Sequence, residues 1–341
     1  METQPSQDPL TRREHWRLLR ARTGELQRRF PLMQLIAACA LFAYGAASLT
    51  GFASLASIKT LLVLASLLGI SAIGQTIVIL LGGFDLAVPG FIALGNLVIA
   101  QLVANDHWPF VAALALLLAI AIVAGGLTGF LCNHFQAQPL IVTLGTGSIA
   151  VGVALVWTGG VTVSGTLPSW LSRLTSPVAG TAGIGIPPVI VIWALAAVVV
   201  SLFLHRTITG KRIYAAGANP VAARHALVGV TRLWAVGFAI SAVSAVVVGV
   251  LLAGFSGAGD PNVGNNYLFI SLSAVIVGGT SLIGARGDYW CTVVGALLLT
   301  ELQSILIGHG FDQADQQILY GVVILLVVPA YGRDRRAGDR V

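Results

Sequence analysis

Two carboxylates stand inside or against long apolar runs. Asp85 lies in Leu81-Gly82-Gly83-Phe84-Asp85-Leu86-Ala87-Val88-Pro89-Gly90, and Glu301 lies within the apolar run 288–307. Charge is costly in a bilayer, so such residues are candidates for a solute path or an ion relay. Asp85 also has a structural role open to it, which ranks ahead of the solute path. The glycines break one helix, Pro89 can start the next, and the carboxylate can accept from amides freed at the break. Glu301 could pair with a base, lie protonated or face a wet cavity, and the sequence does not choose. His15, His107, His134, His205, His225 and His309 are scattered and fit neither metal nor triad spacing. Cys39, Cys132 and Cys291 are far apart and sit in or at the end of apolar stretches. They read as small apolar side chains, with no disulfide framework and no metal site. Gly-x-Ser-x-Gly, His-Glu-x-x-His, Cys-x-x-Cys and phosphate-binding Gly-Lys-Ser/Thr motifs are absent. The chain therefore has no known motif for hydrolysing ATP, and no cofactor is expected in it.

Two further patterns could carry function. A Gly-Gly break recurs as Val277-Gly278-Gly279-Thr280-Ser281-Leu282-Ile283-Gly284, offset by 196 residues from the first. Internal repeats with broken helices mark solute sites in transporters. Chance in a glycine-rich chain is the rival explanation. The second pattern is the polar segment Gly210-Lys211-Arg212-Ile213-Tyr214-Ala215-Ala216-Gly217-Ala218-Asn219-Pro220-Val221-Ala222-Ala223-Arg224. Asn219 can cap a short helix with Pro220 in its first turn. Such a helix, lying along the membrane, could be a knob for a partner protein, or an interfacial helix held by Arg and lipid phosphates.

The elements that must position these residues are membrane helices. Of 341 residues, 56% are apolar and 9% charged, and the mean hydropathy is +0.89. A soluble domain carries about 25% charged residues. A helix needs about 20 apolar residues to cross the bilayer core. That rule places spans near 31–50, 60–81, 89–104, 109–131, 139–158, 187–205, 232–254, 267–284, 288–307 and 315–331. Gly-Gly pairs interrupt 60–104 and 255–307, so short or broken helices are expected there. The runs are continuously apolar, which disfavours a β-barrel. In the seventh span Gly237, Ser241, Ala245 and Gly249 form a stripe of small residues, suited to tight packing inside a bundle.

Charge orients the chain. Residues 1–30, 205–232 and 332–341 hold seven, five and four of the 19 basic residues. With ten spans these segments share one side, which the positive-inside rule makes cytoplasmic. Eight or twelve spans would also keep both ends inside. Asp106, Asp260, Asp312 and Asp315 fall on the other side. There, the long loop 159–186 contains Trp170, an interfacial aromatic able to anchor a short surface helix. The net charge of +6 thus reflects topology, and no nucleic-acid partner is expected. The fold class is all-α, a polytopic membrane protein of about ten transmembrane helices with broken or re-entrant segments and both termini cytoplasmic. Residues 1–30 form a cytoplasmic segment, 31–331 a single transmembrane domain, and 332–341 a cytoplasmic tail.

The chain resembles the permease subunit of ribose-type ABC sugar importers, a group related to branched-chain amino acid permeases. Gly82-Gly83-Phe84-Asp85-Leu86 is similar to the family's Gly-Gly-Ile-Asp-Leu-Ser-Val-Gly. Pro139-Leu-Ile-Val-Thr143-Leu-Gly145, Gly152 and Thr158-Gly-Gly160 follow. The 210–224 segment is similar to Gly-Arg-x-x-Tyr-Ala-x-Gly-x-Asn-x-x-Ala-Ala-Arg. Pro261-Asn262-Val-Gly264 and Val277-Gly-Gly-Thr-Ser-Leu282 through Gly287 complete a match running in family order from about residue 60 to 331.

The resemblance implies a homodimeric pore in a bacterial inner membrane. Cytoplasmic ABC ATP-binding subunits, carrying ATP and Mg, would dock on a coupling helix in the 210–224 loop. A periplasmic sugar-binding protein would deliver the solute. The permease itself would be no enzyme. Asn219, Ala222, Ala223 and Arg224 are the expected coupling residues, with Arg224 facing the ATPase and the two alanines allowing close contact. The expected solute path is weakly polar and drawn from Gln75, Asp85, Asn96, Gln101 and Thr143.

Three departures bear on solute and docking. Asp85 is followed by Leu-Ala-Val-Pro89-Gly90. Asn265-Asn266-Tyr267-Leu268-Phe269-Ile270 lacks two acidic residues usual in the family. The first Gly after Arg224 is Gly229, later than the family's habit. An ion-coupled carrier is the alternative, with Asp85 or Glu301 as the coupling carboxylate. An integral membrane enzyme is disfavoured by the lack of paired catalytic groups.

Overall fold

A computed structural model of the protein describes residues 32–181, 183–323 and 325. The expected cytoplasmic segments 1–30 and 332–341, and the last span from 326 onward, lie outside the described residues. The apolar runs fold as α1 (Leu32–Ser48), α2 (Leu55–Leu80), α3 (Val88–Ala100), α4 (Phe110–His134), α5 (Pro139–Thr158), α6 (Ser169–Thr175), α7 (Pro188–Arg206), α8 (Ile208–Ala218), α9 (Pro220–His225), α10 (Val230–Ser256), α11 (Tyr267–Gly278) and α12 (Tyr289–Gly308). A π-helical turn, Gln101–Asn105, extends α3. Residues 313–323 are helical as well. Seven helices are long and apolar enough to cross a membrane: α2, α3 with its π turn, α4, α5, α7, α10 and α12. Among the described residues, one small sheet joins the helices: β1 (Val163–Ser164) pairs antiparallel with β2 (Ala258–Gly259).

The helix starts follow local chemistry. Proline opens α3, α5, α7 and α9, where its missing amide proton has no helical partner to lose. The Ser54 hydroxyl caps α2 by accepting from the Ser57 amide at 3.2 Å. The expected span 267–284 ends early, at Gly278. Gly279 takes a left-handed φ of +116°, and the Thr280 amide closes back on Val275 O at 3.1 Å. A side chain there would strain the turn, which is why the helix stops at this Gly.

Three helices form the core. In their most apolar stretches α2, α3 and α10 are 83, 72 and 67% buried, against 22, 22 and 28% for α4, α5 and α7. The outer three present bare apolar faces suited to lipid. The small stripe of α10 explains the close core. Gly74 of α2 abuts Ser241, Ile77 and Leu81 touch Gly237, and Gly249 lies under the Ile92 carbonyl of α3. These contacts also show that α2 and α10 run antiparallel. On the far side, Trp170 of the short α6 packs edge-on against Phe110, with centroids 4.6 Å apart.

Candidate functional site

The core helices α2 and α10 each end at a left-handed glycine. At the end of α2, Gly82 has φ +84°, its amide donates to Ile79 O at 2.9 Å, and the Gly83 amide donates to Val78 O at 2.9 Å. At the end of α10, Gly257 has φ +73° and donates to Ala253 O at 2.8 Å. Each left-handed Gly is followed, three residues on, by an aspartate. Asp85 Oδ1 accepts from the Ala87 amide at 2.8 Å, and Asp260 Oδ1 accepts from the Asn262 amide at 2.9 Å. Both are Asx turns. Each leads an unwound return, 83–87 or 258–266, into a second helix, α3 or α11. Because α2 and α10 run antiparallel, α2–α3 and α10–α11 are inverted copies of one unit.

The second unwound segment runs back along α3. Gly259 packs on Leu97 and Ala100, the Asp260 amide donates to Asn96 Oδ1 at 2.7 Å, and Gly264 sits against the Pro89 carbonyl. The first segment brings Ala87 and Gly90 onto Gly147, about two helical turns into α5. The two unwound segments therefore meet at the start of α3. The sequence likeness of 82–86 to 278–282 is a likeness of local turn, and the break that runs opposite to the first is the one at 257–266. Gly279 repeats the closing hydrogen bonds of Gly82, and Ser281 Oγ accepts from the Ile283 amide at 3.4 Å as Asp85 does from Ala87. That turn, however, lies on the same side as Gly82, where the Ala285 amide donates to Leu80 O. The sequence feature shared by the two oppositely directed breaks is Gly-x-x-Asp at 82–85 and 257–260.

The expected path residues meet different fates. Asp85 is 4% exposed and holds Ala87, as its structural reading requires. Asn96 is fully buried, and its amide also donates to Gly249 O at 3.1 Å, so it is a clamp between units. Gln101 bonds Asn105 and Asp106, both at 2.9 Å, and Thr143 donates to Pro139 O at 2.8 Å. Gln75 is 1% exposed, and neither of its polar side-chain atoms has a partner among the described residues. It shares a face of α2 with Ala72 and Ile79, which pack on Val275 of α11. Glu301 is buried, and its Oε2 is likewise unpaired.

The polar segment forms two helices hinged at Asn219, which ends α8 and caps α9. Its Oδ1 accepts from the Val221 and Ala222 amides, both at 3.0 Å. Val221, Ala222 and Arg224 are exposed, whereas Ala223 is 5% exposed and turned into the protein. Of the two expected contact alanines, only Ala222 is on the outer face. Arg224 Nη2 reaches Asn133 Oδ1 at 3.4 Å beside a recess of about 210 Å³ that Leu81, Cys132 and Trp234 also line. The helix closes at Leu227, whose φ is +58° and whose side chain is 92% exposed. The late Gly229 thus leaves the left-handed position to a leucine.

A lipid-facing helical bundle with an inverted pair of broken-helix units, next to an exposed basic knob, defines a multi-pass membrane transporter. Residues 57–328 match the family described as branched-chain amino acid transport system / permease component, and the chain belongs to that family. The chain is 31% identical over 260 residues to the ribose import permease protein RbsC of Bacillus subtilis, covering 76% of this chain and 80% of that one. It is 28% identical over 309 residues to the autoinducer 2 import system permease protein LsrC of an Enterobacter species, covering 91% and 88%. It is 29% identical over 294 residues to the D-allose transport system permease protein AlsC of Escherichia coli, covering 86% and 87%. No solved structure shows a significant match. These relatives are named as permeases of ribose, autoinducer 2 and D-allose import or transport systems, which supports the ribose-type resemblance.

Proposed function

We propose that the protein is the pore subunit of an ATP-driven importer for a monosaccharide or related polyol. It works as a homodimer in a bacterial inner membrane, with ten membrane segments and both ends cytoplasmic. ATP binding and hydrolysis, with Mg, belong to a separate subunit docked on α9. A periplasmic binding protein supplies the solute. The observation that carries this reading is α9 itself, a capped helix with outward Val221, Ala222 and Arg224, held on the basic side of the transporter. Of the two carboxylates an ion-coupled carrier would use, Asp85 has its Oδ1 bonded within its own turn, which leaves Glu301 to that alternative.

Purification of the tagged protein in mild detergent tests the reading. A stoichiometric ABC ATPase is the expected companion, and Ala222→Glu should release it without unfolding the permease. Reproducible absence of an ATPase beside intact permease would sink the proposal.

Gln75 is the favoured solute contact, since its carboxamide alone among the five path residues has all its hydrogen-bonding groups free. An unpaired buried amide costs about 1–3 kcal/mol. Gln75→Met should therefore raise thermal stability by about 1 kcal/mol while lowering ATP-dependent uptake. Unchanged uptake would remove Gln75 from the path.

A further inference from the structure

We infer that Gly217 and Tyr214 are positioning residues through which α8 moves both inverted units together. The inference rests on the reading that an ATPase docks on α9. The α2–α3 unit leaves a free carbonyl at Leu80, the last residue of α2. That oxygen accepts from the Ala285 amide at 2.9 Å, in the turn 279–288 that follows the α10–α11 unit. The break of the first unit is thus bonded, backbone to backbone, to the turn that follows the second. Gly217, in the last turn of α8, lies on this bond. A Cβ there would collide with the Leu80 carbonyl oxygen and stand 2.9 Å from the Ala285 nitrogen. Gly284 completes the contact, since a Cβ on it would be 3.1 Å from Gly217 O, Gly82 N and Leu80 O.

Tyr214 adds a second tie, to the turn alone. Its hydroxyl donates to Gly287 O at 2.8 Å. Burial, and then the nearby Asp288 charge, push its pKa well above the usual phenol range, so it stays a donor. His205 stacks on the Tyr214 ring with centroids 6.1 Å apart, and it pairs with Asp288 at 3.1 Å. Asp288 in turn caps α12 through the Tyr289 amide. Asn219 joins α8 to α9 through its cap. A push on α9 therefore reaches Leu80 and Ala285 through backbone contacts, with no rotamer between them to absorb the movement. Close-packed interiors transmit such displacements.

Native thiols report on each unit. Cys132 lines the recess with Leu81 at the end of α2, and the Cys291 backbone packs on Gly278 at the end of α11. Both are buried, whereas Cys39 is exposed and is removed as Cys39→Ala. The experiment compares N-ethylmaleimide labelling of Cys132 and Cys291 in the permease–ATPase complex, nucleotide-free and trapped with ATP and vanadate. Trapping should change the labelling rate at both thiols of the Cys39→Ala parent. Added Tyr214→Phe should keep the Cys132 response and reduce that of Cys291. Added Gly217→Ala should lose both responses with the ATPase still bound, which a purely structural glycine would not do.

A parent with no bound ATPase would overturn the docking reading and this inference with it, whereas a parent with bound ATPase and no response at either thiol would overturn this inference alone. A parent that responds at one thiol only would overturn joint movement alone. Tyr214→Phe keeps the ring and removes one hydroxyl. Its two thiols responding as in the parent would overturn the inference even if Gly217→Ala did not fold.

Discussion

The unwound segments 82–87 and 257–266 share a turn and differ in what surrounds it. Asp85 is buried, and Ala87 and Gly90 are packed on Gly147. Asp260, Asn262, Asn265 and Asn266 are exposed around the same Asx turn, although Gly264 is wedged on the Pro89 carbonyl. One copy closes backbone into the core, and the other carries side-chain amides outward. The comparison teaches that an identical local bond has different weight in the two copies. A buried amide that loses its acceptor stays unpaired, whereas an exposed one finds water.

The largest expected effect is at the crossing of the two segments. Gly264→Val places a branched side chain on the Pro89 carbonyl and should destabilise by about 3 kcal/mol. Gly152→Val, where a Cβ meets nothing within 4 Å, is the control. Thermal unfolding of the detergent-solubilised proteins reads both, and similar losses would mean that the segments do not cross as described.

Next comes the asymmetry of the aspartates. Asp85→Ala should cost about 2 kcal/mol, and Asp85→Asn, which keeps an acceptor, should recover most of it. Asp260→Ala should cost about 0.5 kcal/mol, because water replaces the lost acceptor. Equal shifts in melting temperature for the two alanine variants would break the comparison.

Leu227 extends the comparison to a third left-handed closure, one with leucine in place of glycine. Leu227→Gly should stabilise by about 1 kcal/mol through relief of the strained φ. A lower melting temperature would show that the exposed leucine packs on something within the permease.

The sequence by itself determined the membrane class, the positions of the helices and the existence of breaks. These follow from local quantities: the length of an apolar run, the φ that only Gly adopts cheaply, and the amide that Pro lacks. The motif order from 82 to 287 was enough to name the family. Tertiary structure decided which break runs opposite to which, because a left-handed Gly ends a helix at 82, 257 and 279 alike. It bonded Asn96 to both Gly249 and Asp260 and turned Ala223 inward. It also brought Gly217, Leu80 and Ala285 to one point. Those outcomes depend on backbones far apart in the chain approaching within hydrogen-bond distance, and the identity of such a partner is not encoded within any single segment.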